Sequence, residues 1–95
     1  MEISRSSNTV TITGNIKSVS DFQSIKTTLD AVKTSSSTIT INIEDSISIT
    51  SSVIGYFNKL VLKDNINLNM NVGNEQLIAL LDDLNLTSVF KVKAR

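Results

Sequence analysis

Thr50-Ser51-Ser52 is the one place in the chain where residue types and spacing together offer chemistry. The apolar run around Ile47 and Ile49 breaks there, and Val53, Ile54, Phe57, Leu60 and Val61 resume it with helical spacing, so three hydroxyls fall at a strand-to-helix turn. A helix start presents unpaired N–H groups and the positive end of the helix dipole. A hydroxyl at that point can cap the helix by accepting one of those N–H groups, and a phosphoryl group attached to it would sit in a favourable field.

Other chemistries lack their residues. The chain has no His and no Cys, which removes imidazole acid/base catalysis, thiolate nucleophiles, disulfides and the usual zinc sites. Glu44-Asp45 and Asp82-Asp83 are the only paired carboxylates, and each pair is adjacent in sequence, an arrangement that suits a turn and a solvated helix face better than acid/base work. Gly14, Gly55 and Gly73 are isolated, so no glycine-rich loop can cradle a phosphate. Lys17, Lys26, Lys33, Lys59 and Lys63 are dispersed without interleaved aromatics, and Lys+Arg 9 balance Asp+Glu 9, which argues against nucleic acid as a partner. The expectation is a protein with no catalytic residues, no metal site and no cofactor.

The hydroxyl turn must be held by a small scaffold. Val10 and Ile12 alternate with Thr9, Thr11 and Thr13 and read as a strand, with Ile3 marking an earlier partner strand in a hairpin. Phe22, Ile25, Leu29 and Val32 then fall on one face of a helix expected over Asp21–Lys33, with Ser20 and Gln23 as a capping box. Thr38–Ile43 and Ile66–Val72 alternate as strands with one apolar face and one Thr/Asn face, the latter expected to be wet. Leu77, Leu80, Leu81 and Leu84 make the buried stripe of a helix over Asn74–Leu84, Asn85 suits the left-handed residue after it, and Val89–Val92 leads into a final edge strand. The sum is an α/β fold: one domain over residues 1–95, a mixed sheet of four to five strands with three to four helices.

In that order of elements the chain resembles the STAS domain, the fold of bacterial anti-sigma factor antagonists. Ile41-Asn42-Ile43 followed by Ile47-Ser48-Ile49-Thr50-Ser51-Ser52-Val53-Ile54-Gly55 is similar to that family's strand, turn and helix start, usually an apolar run ending in Asp-Ser-Ser-Gly-Leu-Gly. Leu84-Asn85-Leu86-Thr87-Ser88-Val89-Phe90 resembles the family's Leu-x-Gly-Leu-x-x-x-Phe ending. Thr50 stands where the family usually has Asp, and Val53 where it usually has Gly. The resemblance implies an interaction module whose partner is an anti-sigma factor and serine kinase. It also implies phosphorylation of the first Ser of the pair, Ser51, with Ser52 and Thr50 ranked behind it. The two departures favour an alternative within the same family: a constitutive STAS subunit of a lipid transporter or signalling scaffold, without phosphorylation.

The helix after the turn can be laid out at about 100° per residue, independently of any family. Val53, Ile54, Phe57, Leu60 and Val61 form its core face, with Tyr56 at the edge, while Ser51, Gly55, Asn58 and Leu62 line up on the opposite side and Ser52 falls to the flank. Thr50, Ser51, Gly55, Asn58 and Leu62 are therefore the expected partner-binding residues, together with the loop Glu44–Thr50. The chain opens without a basic segment followed by an apolar one, and no apolar run nears the roughly 18 to 20 residues of a membrane span. The expectation is a cytoplasmic protein with no membrane insertion, monomeric or weakly homodimeric through an edge strand.

Overall fold

The computed structural model describes residues 1–95. Alternating side chains set the strands: β1 (Glu2–Ser6) and β2 (Thr9–Thr13) form an antiparallel hairpin with Ser6 opposite Thr9, and Ser7 makes the tight connection in the left-handed region at φ 57°. Every later strand is parallel to β2. β3 (Thr38–Ile43) pairs with β2, β4 (Asn67–Val72) with β3, and β5 (Val92–Ala94) with β4, so the mixed five-stranded sheet runs in the order of the sequence.

Three helices fill the crossovers: α1 (Val19–Lys33), α2 (Ser51–Leu62) and α3 (Glu75–Asp83). Crossovers of one hand that always step to the next position in a sheet keep their helices on one face. The burial pattern agrees, because Val10, Ile12, Ile39, Ile41, Ile43, Leu68, Met70 and Val72 join Ile25, Leu29, Phe57, Leu60, Leu77 and Leu81 in a single buried core. Thr9, Thr11, Thr40, Asn42, Asn69 and Asn71 lie on the other face, half-buried among one another, and the Asn71 amide donates to Asn42 Oδ1 at 2.9 Å. The Thr/Asn face thus carries no helix layer.

Three local expectations are corrected. Helix α1 begins at Val19 and not at Asp21, and its capping box is Ser18 with Asp21 in place of Ser20 with Gln23. The Ser18 hydroxyl accepts the Asp21 N–H at 3.0 Å, and the Asp21 carboxylate accepts the N–H groups of Ser18 at 3.1 Å and Lys17 at 3.0 Å. Asp outcompetes Gln because its full charge meets two N–H groups at the positive helix end. Those bonds, that from Lys17 foremost, hold its carboxyl below the usual carboxylate range. Second, β4 starts at Asn67, since the Ile66 N–H is bound to the Leu60 carbonyl at the end of α2 and not to the sheet.

The third correction concerns α3. Leu77 and Leu81 point into the core, but Leu80 is 37% and Leu84 47% exposed. A nine-residue helix resting over β4 and the three-residue β5 has too little sheet beneath it to cover four leucines. Asn85 is left-handed at φ 59°, as its position suggests. The Asn85 and Leu86 N–H groups bond the carbonyls of Asp82 and Leu81, both at 2.9 Å, a Schellman closure that folds Leu86 onto the core.

Candidate functional site

Thr50 ends the β3–α2 loop in extended conformation (φ −92°, ψ 157°), and its hydroxyl accepts the Val53 N–H at 3.3 Å. The capping task therefore falls to Thr50. Ser51 and Ser52 occupy the first two helical positions, both exposed. They point differently: Ser52 lines a cleft of about 330 Å³ between the starts of α1 and α2, walled by Lys17, Ser18, Val19, Phe22, Gln23 and Thr50, whereas Ser51 is not part of it.

The loop that delivers the turn is tied down by short polar side chains. Ser46 is fully buried; its hydroxyl accepts the Ile16 N–H at 3.0 Å and donates to the Ser48 carbonyl at 2.6 Å. The Ser48 hydroxyl donates to the Ile16 carbonyl at 3.1 Å, Asn15 Oδ1 accepts the Ile47 N–H at 3.0 Å, and Asp45 accepts the Gly14 N–H at 2.7 Å. The β2–α1 and β3–α2 loops are thereby laced into one rigid platform at the carboxyl ends of β2 and β3. Ser46 is a residue that sequence reading misses, and its only local signal is the Ser46-x-Ser48 spacing of a hydroxyl turn.

The outer face of α2 matches the expected layout. Ser51 and Gly55 are exposed, Asn58 is half-buried and Leu62 is 70% exposed, while Val53, Tyr56, Phe57 and Leu60 are buried. Ile54 and Val61, assigned to the core face from the sequence, are only half-buried and sit on its shoulder. Gly55 has open space where a Cβ would be, with nothing within 4 Å. Gly55→Ala is accordingly expected to stabilise the isolated protein by about 0.5–1 kcal/mol, raising Tm by a few degrees in a thermal melt.

The flank of α2 toward α1 is a charged seam. Asp30 is bound by Lys26 at 2.8 Å and by the Tyr56 hydroxyl, Lys33 reaches Asp30 at 3.4 Å and Asp64 at 3.0 Å, and Lys59 closes on Asp64 at 3.1 Å. Burial works to raise the Asp30 pKa, but the hydrogen bonds from Lys26, Tyr56 and Lys33 prevail and hold it at about 2. Burial, and then the Asp30 carboxylate, push the Tyr56 phenol above its usual range. Tyr56 is thus a structural pin between helices, with Phe22 edge-on to its ring at 6.4 Å.

The opposite flank of α2 faces α3 and is apolar. Helices α2 and α3 run in the same direction, so the side of α3 equivalent to the Tyr56 side of α2 turns toward α2, and at about 100° per residue it carries Leu80 and Leu84. Ile54 and Val61 of α2 and Leu80 and Leu84 of α3 therefore lie on the flanks that the two helices turn toward each other, while Leu62 stays on the outer face of α2. Val19 (78% exposed) and Ile47 (51%) add apolar surface near the start of α2. Sequence reading misses Leu80 and Leu84 because leucines at helical spacing look alike whether they face a sheet or a neighbouring helix.

The adjacent carboxylates do not come together as pairs: Glu44 binds Arg95 at 2.8 Å while Asp45 caps Gly14, and Asp82 accepts the Thr87 hydroxyl at 3.3 Å. Parallel strands in sequential order also leave no topological switch point, the place where open α/β sheets form their ligand crevice. No helix is long and apolar enough to cross a membrane. No family model, curated protein or solved structure matches the chain.

Proposed function

We propose that the protein is a non-catalytic interaction module of the anti-sigma factor antagonist type, which binds a partner protein through the outer face of α2 and the Glu44–Thr50 loop. The observation that carries this reading is the outward-facing line Ser51, Gly55, Asn58 and Leu62, which the core does not use. The line is about 16 Å long from Ser51 to Leu62 at 1.5 Å per residue. Apolar groups at its end and a side-chain-free Gly55 at its middle would let a partner backbone come close.

The switch in this reading is Ser51. A phosphate there adds up to two negative charges at the centre of the contact, and desolvating them disfavours the complex even though the helix start tolerates the phosphate. The partner of this class is an anti-sigma factor with serine kinase activity. A constitutive role as a transporter or scaffold subunit draws support from Thr50, since a hydroxyl cap replaces the carboxylate usual beside the serine in that family.

Affinity capture from native lysate with wild-type and Ser51→Asp protein, followed by mass spectrometry of partners and of phosphate on residues 50–52, tests both. The switch requires a stoichiometric partner whose affinity falls at least about tenfold with Ser51→Asp, while circular dichroism stays unchanged. Equal capture by both proteins, with no phosphate detected, selects the constitutive role. A partner retained by Leu62→Lys and Gly55→Gln variants would remove the α2 face from the account altogether.

A further inference from the structure

The three helices treat their negative ends differently. The last turn of a helix favours cations, and α1 and α2 place Lys33 and Lys59 there. Helix α3 ends instead in Asp82 and Asp83 and contains no basic residue. Asp82 has only the Thr87 hydroxyl at 3.3 Å, and Asp83 enters no ion pair. Lysines at the ends of other elements are committed elsewhere: Lys33 and Lys59 to Asp64, and Lys91 to Asn67. Lys63 falls on the Tyr56 side of α2 at about 100° per residue, away from α3. By contrast Asp21, Asp30 and Asp64, the carboxylates of α1 and of the end of α2, are each met by backbone N–H groups or by lysines.

This uncompensated charge borders exposed apolar surface. Leu80 and Leu84, 37% and 47% exposed, lie one turn apart on the flank of α3 turned toward α2, and Asp83 lies about 60° from Leu80 on its solvent side. Across the seam α2 contributes Ile54 and Val61, two turns apart and half-buried. A helix end that breaks the charge rule beside uncovered leucines, with no gain inside the molecule, is what a docking surface leaves in the unbound protein.

Charge selects the occupant. Glu75 adds to Asp82 and Asp83, so a second α3 would set carboxylates against carboxylates, and an anionic lipid surface would be repelled in the same way. A cationic partner is attracted instead. The apolar positions recur at one and two turns on helices that run in the same direction, and the apolar side of an amphipathic helix repeats at the same rise. We propose that the seam between α2 and α3 takes a cationic amphipathic helix of a partner protein, its apolar side on Leu80 and Leu84 and a lysine or arginine on Asp83. The seam is separate from the Ser51–Leu62 line and does not rest on the function proposed for that line.

Two peptides of about sixteen residues serve as probes, each with leucines at helical positions i, i+3, i+4 and i+7, the remainder being lysine in one and glutamate in the other. Fluorescence anisotropy should give a dissociation constant of about 10–100 μM for the Leu/Lys peptide and no binding of the Leu/Glu peptide below about 1 mM. Amide NMR shifts on titration should centre on Ile54, Val61 and residues 80–85. Asp83→Lys should weaken binding at least about fivefold and yet raise Tm, because a lysine suits that helix end, and the pair of readouts separates a lost contact from a lost fold. Leu80→Ser combined with Leu84→Ser should weaken binding at least about tenfold, whereas Glu2→Lys, the same change of charge on the exposed far edge of the sheet, should leave it within about twofold. A wild type that binds neither peptide or both alike, binding retained by Asp83→Lys or by the double variant, or shifts centred outside the seam overturns the proposal. Self-association of the wild type that disappears with Leu84→Ser would give the seam to a second copy and overturns it equally.

Discussion

Truncating Phe57 to Ala is expected to cost about 3–5 kcal/mol, a large part of the roughly 5–15 kcal/mol that holds a domain of this size folded. Phe57 is fully buried, faces inward from the middle of α2, and meets Phe90 edge to face with ring centroids 5.8 Å apart. The cavity would open between α2 and the turn after the Schellman closure of α3. Van der Waals contacts and the favourable ring geometry are lost at once, and the rigid sheet beneath cannot collapse to refill the space. In urea the unfolding midpoint should fall by at least about 1 M with little change in slope. Amides of residues 87–92 should exchange faster than those of β2 and β3. A loss under about 1 kcal/mol would mean that the Phe57–Phe90 contact does not organise the C-terminal third of the chain.

The second large effect is expected at Gly73, and it contrasts with Gly55. A Cβ on Gly73 would overlap the carbonyl oxygen of Glu44, with the Glu44 carbonyl carbon at 3.1 Å, and the Gly73 N–H is clamped to the Ile43 carbonyl at 2.8 Å. Both neighbours are backbone, so neither can rotate away. Gly73→Ala must push the end of β3 from the end of β4, at a cost of about 2 kcal/mol or more. The displaced residue is Glu44, which is held by Arg95 at 2.8 Å and begins the loop leading to Ser51. The variant should therefore lose stability and also loosen the platform, seen as faster exchange at residues 44–48. The same substitution at Gly55 is expected to raise stability while obstructing a partner. Opposite signs for one chemical change, measured in the same melt, separate close backbone packing from an open surface.

Much of this architecture is legible in the sequence because it depends on period. The alternation in Thr9–Thr13, Thr38–Ile43 and Asn67–Val72 shows strands with one polar face, and the structure leaves that face without helices. Asn85 after a leucine stripe marks a helix end because few other residues accept a left-handed conformation. The details that escape depend on competition between similar groups. Whether Ser18 or Ser20 caps α1 is decided by which side chain reaches back to two N–H groups, and Gln23 and Asp21 look comparable on paper. The exposure of Leu80 and Leu84 depends on how much sheet underlies α3, a fact about β5 that no residue of α3 encodes. Ser46 is legible only in three dimensions, since its partner Ile16 lies thirty residues earlier in the chain.

The strand order carries a consequence for how the molecule comes into being. Each strand from β3 onward pairs with the one made just before it, across separations of roughly 20 to 30 residues, and no strand must be slotted between two already paired. Assembly can then advance one βα unit at a time along the growing chain, and no pairing formed early has to be undone to admit a later strand. The hairpin of β1 and β2, closed by a two-residue turn, can form first and offer the template on which the rest is laid. In such a sequence the C-terminal strand is the last to join, and Phe90, delivered just ahead of it, is the residue that locks the completed row.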